Sequence, residues 1–160
     1  MNKARNLLSV DDRDSELVSR LTIPTHRIHI DRSFYEDMTL RGIRVDRVQP
    51  GFVSCSFKVP SYLSDSNGKL AAGAIANLVD ELGGAVIMSE WENEMNNVSV
   101  DMSISYVSAA DVDEELEITA RLLGKKGGFF GTNVVLKNKI TGDIIAEGRH
   151  SLFNKHASKM

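Results

Sequence analysis

Two adjacent carboxylates, Asp80 and Glu81, stand in Leu78-Val79-Asp80-Glu81-Leu82 inside an otherwise apolar stretch. A carboxylate can orient and deprotonate a water molecule, and burial that raises its pKa toward neutrality makes it a better base. On a helix, neighbouring residues point about 100° apart, so one of the two faces any given site; the run by itself leaves both as candidates, and an exposed helix carboxylate as the bland alternative. A second feature is Lys125-Lys126-Gly127-Gly128. Basic side chains and free backbone N–H groups suit phosphate oxygens, although a charged β-turn has the same composition. The remaining inventory of reactive groups is thin. Cys55, the sole cysteine, sits in the alternating run Phe52 to Val59 and reads as a packing residue. His26, His29, His150 and His156 show no serine–histidine–acid context. His150, beside Arg149 near the chain's end, reads as a strand-face residue, and no histidine is expected near the carboxylates. No Cys/His cluster has metal-ligand spacing, so neither a metal nor a cofactor is expected.

The elements that must position these groups follow from hydrophobic period. Ile43 to Gln49 reads as a strand, Pro50-Gly51 as a turn, and Phe52 to Val59 as the antiparallel partner. A Ser, Asp, Asn and Gly-rich loop, residues 60–68, leads to a helix whose apolar stripe is Ile75, Leu78, Val79, Leu82 and Val86. Small or apolar residues surround that stripe, which marks a buried helix. Gly83 and Gly84 each lower helix propensity by about 1 kcal/mol, and close approach of another backbone would explain them. Four alternating runs complete the chain: Val98 to Tyr106, Glu115 to Leu122, Phe129 to Asn138, and Ile144 to Phe153 after the turn Thr141-Gly142-Asp143. Each should bury one face. An antiparallel sheet wrapped around one central helix, an α+β fold, satisfies all these faces. An uncovered sheet edge offers a second subunit a place to pair. Residues 1–37, with short helices near Asp14 to Leu21 and Arg32 to Met38, read as an N-terminal elaboration packed on a main domain of residues 38–155; residues 156–160 form a tail.

Composition narrows the function class. A chain of 160 residues with 42% hydrophobic content makes one well-packed domain. A net charge of −3 and 6% aromatic residues argue against nucleic-acid binding by a basic stripe or by base stacking. No apolar run reaches the length of a membrane span, and the polar stretch from Asp11 argues against a secretory leader. One cysteine fits a reducing compartment. Ser158-Lys159-Met160 resembles the peroxisomal address Ser-Lys-Leu, so the expected location is the peroxisome, with the cytoplasm as alternative.

Three stretches carry a resemblance to a known family. Asn67-Gly68-Lys69-Leu70-Ala71-Ala72-Gly73-Ala74-Ile75-Ala76-Asn77-Leu78-Val79-Asp80 resembles the loop and helix start of the PaaI-like hotdog thioesterases. Val98 to Tyr106 resembles the following strand of those acyl-coenzyme A thioesterases called thioesterase superfamily member 2, and Gly148-Arg149-His150 their last strand. The similarity covers roughly residues 35–155 and lies in order and spacing rather than in any one motif. It implies a hotdog fold and hydrolysis of acyl-CoA by water attack, with Asp80 as base and Ser99 holding the water or substrate. It also implies that the backbone N–H of Ala72 is the oxyanion donor. Where the family carries His-Gly-Gly, this chain has Ala71-Ala72-Gly73; alanine keeps its N–H, so the donor survives. The family's loop asparagine corresponds by counting to Asp65, and to Asn67 only with a shifted loop.

The resemblance further implies coenzyme A contacts from Tyr106, Val107, Ser108, Ala109 and Ala110, and from Gly124, Lys125, Lys126, Gly127, Gly128 and Phe129, with Asp101 and Arg149 as additional candidates. Asp111, a carboxylate facing an anionic nucleotide, is a poor ligand. The family places the helix aspartate on one subunit and the serine on another, which implies a homo-oligomer: a dimer, and a dimer of dimers beyond it. The alternative function is a non-catalytic acyl-CoA-binding hotdog protein, favoured by Ala71-Ala72 and by Asp65. A hotdog hydratase or dehydratase would need a His/Asp pair. Acyl specificity does not follow from the sequence, although a peroxisomal location would favour fatty or aromatic acyl groups.

Overall fold

The alternating runs form one six-stranded antiparallel sheet in the order β1-β2-β4-β5-β6-β3. The strands are β1 (Arg44–Gln49), β2 (Phe52–Lys58), β3 (Val98–Tyr106), β4 (Glu115–Lys126), β5 (Phe129–Asn138) and β6 (Ile144–Phe153). The computed structural model describes residues 2–9, 11–27, 31–91 and 97–154; His29, His156 and Ser158-Lys159-Met160 lie outside them. The chain divides into two units, Met1–Phe34 and Tyr35–Met160. The first contains α1 (Asn2–Leu8), which the sequence did not announce, and α2 (Asp12–Ser19). Asp11 caps α2 by accepting the Asp14 N–H at 2.8 Å. The second unit holds the sheet, most of α3 (Phe34–Leu40), and the long helix α4 (Ala72–Met88).

Helix α4 lies across β4, β5 and β6. Its stripe Ile75, Leu78, Val79, Leu82 and Val86 is buried against Cys55, Phe57, Leu116, Ile118, Val134, Leu136 and Ala146. These come from alternate positions of β2, β4, β5 and β6, as period-2 patterning requires. The two edge strands depart from it. β1 is exposed throughout, and along β3 only Ile104 is partly covered. Val98 and Val100 are 60% and 55% exposed. The expectation that β3 hides a face within its own chain is therefore corrected: α4 runs along the middle of the sheet and leaves this edge bare.

Close approach also differs from expectation. A Cβ on Gly84 would meet nothing within 4 Å, and one on Gly83 would meet the His150 ring and the Thr132 hydroxyl rather than backbone. The tight helix–sheet contact lies instead at Gly148 of β6, where a Cβ would stand 2.5 Å from Val79 Cγ1. Gly148→Ala should thus destabilise the fold by about 1–3 kcal/mol through overpacking, measured by chemical denaturation. The Gly148→Ala/Val79→Ala double variant should lose less than the sum of the singles; strict additivity would show that the two sites do not touch.

Candidate active site

The loop after β2 delivers the chain to the helix entrance. Asp65 Oδ1 accepts the N–H groups of Asn67 (2.8 Å) and Lys69 (3.0 Å), and these backbone bonds hold its carboxyl below the usual carboxylate range. That is loop-closing work, and such a carboxylate makes a weak base. Ala71 then caps α4 in extended conformation (φ −62°, ψ 141°), with its N–H donated to Leu63 O at 2.9 Å. The helical ladder begins at Ile75 N–H to Ala71 O, 3.1 Å. The N–H groups of Ala72, Gly73 and Ala74 precede that first bond and sit at the positive end of the helix dipole. No side chain caps them, and Ala72 is exposed. With Ala71-Ala72 at the entrance, the Ala72 N–H lies outside the helical ladder.

Two turns on, Asp80 meets Ser99 and His150. Ser99 Oγ donates to Asp80 Oδ1 at 2.7 Å. A bulge between Ser99 and Asp101 re-aims β3 at this point. His150 Nε2 lies 3.2 Å from the same Oδ1, although neither ring nitrogen makes an aligned hydrogen bond. The imidazole is fully buried, while the Asp80 side chain is 43% exposed. Burial holds His150 below the usual histidine pKa, against the opposing pull of Asp80 and Asp101, so the ring is neutral at neutral pH. Asp80, rather than Glu81, is the carboxylate that both groups approach.

Two expectations are corrected here. Asp80 and Ser99 pair inside one chain, so their contact needs no second subunit. A histidine does lie against the central helix: His150, set aside as a strand-face residue, projects inward. Its signal was present in the sequence, because His150 shares parity with the buried Ala146, Gly148 and Leu152 of β6. Cys55 is buried as expected, and burial, with a smaller contribution from Asp46, pushes its thiol up to about 11, which leaves it unreactive.

The other candidates fall into two groups at opposite ends of β3. Tyr106 donates its hydroxyl to Ala72 O at 3.3 Å, and Ala110 O accepts the Leu70 N–H at 2.9 Å. Tyr106 to Ala110 therefore stand with Asp65, Asn67 and Ala72 at the helix entrance. Within that group Val107, Ser108 and Ala109 line an open cavity of about 320 Å³ with Glu114 and Asp143, whereas Ala110 is 1% exposed and offers a ligand only backbone. Asp111 is paired with Lys69 at 2.5 Å. Gly124 to Phe129 lie at the Ser99 end, since Phe129 pairs with Phe153 and Phe153 with Val98. There Lys125 and Lys126 finish β4, so the turn itself is Gly127-Gly128. Lys125 Nζ rests over the Trp91 and Phe130 rings at 4.8 and 4.9 Å, and Lys126 is exposed. Asp101 and Arg149 are exposed, and Arg149 points away from the face on which His150 meets α4.

Residues 67–141 match the thioesterase superfamily. Human acyl-coenzyme A thioesterase 13 is 39% identical over 115 residues, which cover 72% of this chain and 81% of that protein. The crystal structure of zebrafish thioesterase superfamily member 2 superposes with a TM-score of 0.70 at 36% identity, covering 73% of this chain and 84% of the other. E. coli PaaI shares the fold alone, with a TM-score of 0.65 at 15% identity over 76% and 91% of the two chains. A helix wrapped by a six-stranded antiparallel sheet, found in relatives at this identity and coverage, makes this chain a member of the thioesterase superfamily with the hotdog fold.

Proposed function

We propose that this chain is an acyl-CoA thioesterase in which water attacks the thioester directly, the activity named in its curated relatives. The observation that carries the mechanism is the Ser99 Oγ to Asp80 Oδ1 bond at 2.7 Å. It anchors one carboxylate oxygen at a half-exposed position. Asp80 takes a proton from water as the water oxygen bonds to the carbonyl carbon. The carbonyl π pair moves onto oxygen, where the Ala72 N–H and the helix dipole stabilise the charge. The carbonyl re-forms, the C–S bond breaks, and the proton held by Asp80 passes to the leaving thiolate, giving free acid and CoA.

The two halves of this machinery belong to different subunits in our reading. Eight residues of helix separate Ala72 from Asp80, a rise of about 12 Å, which is long for a donor and a base acting on one carbonyl. Tyr106 marks the Ala72 end of β3 and Ser99 marks the Asp80 end. Antiparallel pairing of the bare β3 edge with a second copy brings the Ser99 end of one strand beside the Tyr106 end of the other. Asp80 then faces the partner's helix entrance, with the exposed Val98, Val100 and Met102 covered in the process. The same pairing gathers Lys125 and Lys126 of one subunit and Tyr106 to Ala109 of the other around a single ligand. Dimers can associate further into a dimer of dimers. Residues 38–155 carry this work, and residues 1–37 are an elaboration. No helix among the described residues is long and apolar enough to cross a membrane.

Free-thiol release from a series of aliphatic and aromatic acyl-CoAs tests the function. The expected result is multiple turnover, with one acid formed per thiol. Binding of the thioesters without turnover would overturn it in favour of a non-catalytic carrier. Hydration or dehydration chemistry gains a His/Asp pair in Asp80 and His150, but the fully buried imidazole lies behind the carboxylate, out of reach of substrate.

A further inference from the structure

We propose that His150 is a positioning residue for Asp80, fixing the carboxylate from behind so that its second oxygen, Oδ2, faces the water. This inference rests on the reading of Asp80 as the base. Three observations carry it. Ser99 Oγ and His150 Nε2 both approach Oδ1, from β3 and from β6, at 2.7 and 3.2 Å, so one carboxylate oxygen is hydrogen-bonded by Ser99 and flanked by the imidazole. The imidazole occupies a built niche: α4 has glycine at position 83, where any Cβ would stand 2.7 Å from His150 Nδ1 and 3.0 Å from Thr132 Oγ1. Finally, His150 is fully buried and both ring nitrogens are without an aligned partner among the described residues. Such a group is costly to bury, and a leucine of similar size would fill the space without that cost.

The surroundings set the direction of its effect. Asp80 on α4 and Asp101 on β3 are the charged groups acting on the ring. From β5, Thr132 offers only a hydroxyl, which is donated to His150 O at 3.2 Å. With Nε2 packed 3.2 Å from Oδ1, the imidazole limits the rotation of the carboxylate. It does not touch the substrate, so its loss should appear in kcat rather than in KM.

The test compares His150→Leu with His150→Gln in acyl-CoA thiol release, alongside Asp80→Asn. The glutamine amide can put an N–H near the site of Nε2. His150→Leu should lower kcat about tenfold or more and leave KM unchanged. His150→Gln should recover most of kcat. If the leucine variant does not fold, His150→Asn replaces it, because its shorter amide falls short of Oδ1 and should behave as a loss. Unchanged kcat in His150→Leu or His150→Asn, with Asp80→Asn inactive, would overturn the role of His150 alone. Full turnover in Asp80→Asn would instead overturn the base assignment, and this inference with it.

Discussion

Asp80→Asn is expected to lower acyl-CoA turnover by about 10²–10⁴-fold, the usual contribution of a general base, while thermal stability and oligomeric mass stay near wild type. The substitution is close to isosteric. The asparagine carbonyl can still accept the Ser99 hydroxyl that Asp80 Oδ1 accepts at 2.7 Å, so the local geometry persists while the proton acceptor is gone. Substrate binding should persist as well, and KM should change less than kcat. Steady-state thiol release gives both constants. Turnover within a few-fold of wild type would remove Asp80 as base and move attention to Glu81. Asp65 is a poor substitute because its carboxylate already closes the loop onto the Asn67 and Lys69 N–H groups.

Ala72→Pro should be almost as damaging, by about 10²–10³-fold in kcat, which is the usual loss for one oxyanion donor. Proline removes only the N–H. Position 72 is the first residue of α4, where proline is well accommodated. The preceding Ala71 already has the extended angles that proline demands of its neighbour, φ −62° and ψ 141°. The Tyr106 hydroxyl contacts the Ala72 carbonyl rather than its nitrogen. Circular dichroism and the unfolding midpoint should therefore match wild type. A folded, fully active Ala72→Pro would show that the oxyanion is held elsewhere, Gly73 N–H being the nearest alternative.

The strands and the central helix were legible because their signals are local. Period-2 runs placed β2, β3, β5 and β6 within a residue of their observed ends, and the stripe from Ile75 to Val86 located α4. β4 runs on to Lys126 because the basic residues before Gly127-Gly128 extend the strand instead of forming the turn. Asp80 and Ser99 stood out through the family resemblance, and they meet across nineteen residues of sequence. Their division between subunits was misjudged, since which chain supplies a contact is a property of sheet order rather than of either residue. The exposure of β3 has the same origin: Val98 to Tyr106 has the pattern of a half-buried strand, and only its edge position leaves Val98 and Val100 bare. His150 was the avoidable miss. Its parity with Gly148 and Leu152 pointed it into the core, and the glycine at 83 opposite it was read as room for backbone when it is room for an imidazole.

In the proposed two-subunit site the base and the oxyanion donor come from different chains, and mixing variant subunits tests this. Asp80→Asn and Ala72→Pro subunits carrying different tags are refolded together, and the heterodimers are isolated by tandem affinity. Each heterodimer should contain one doubly damaged site and one intact site. Turnover should return to about half of wild type in the purified heterodimer, or roughly a quarter in the statistical mixture, from two parents that are separately inactive. If heterodimers form and remain as inactive as their parents, Ala72 and Asp80 act within a single chain, and the two-subunit site is wrong.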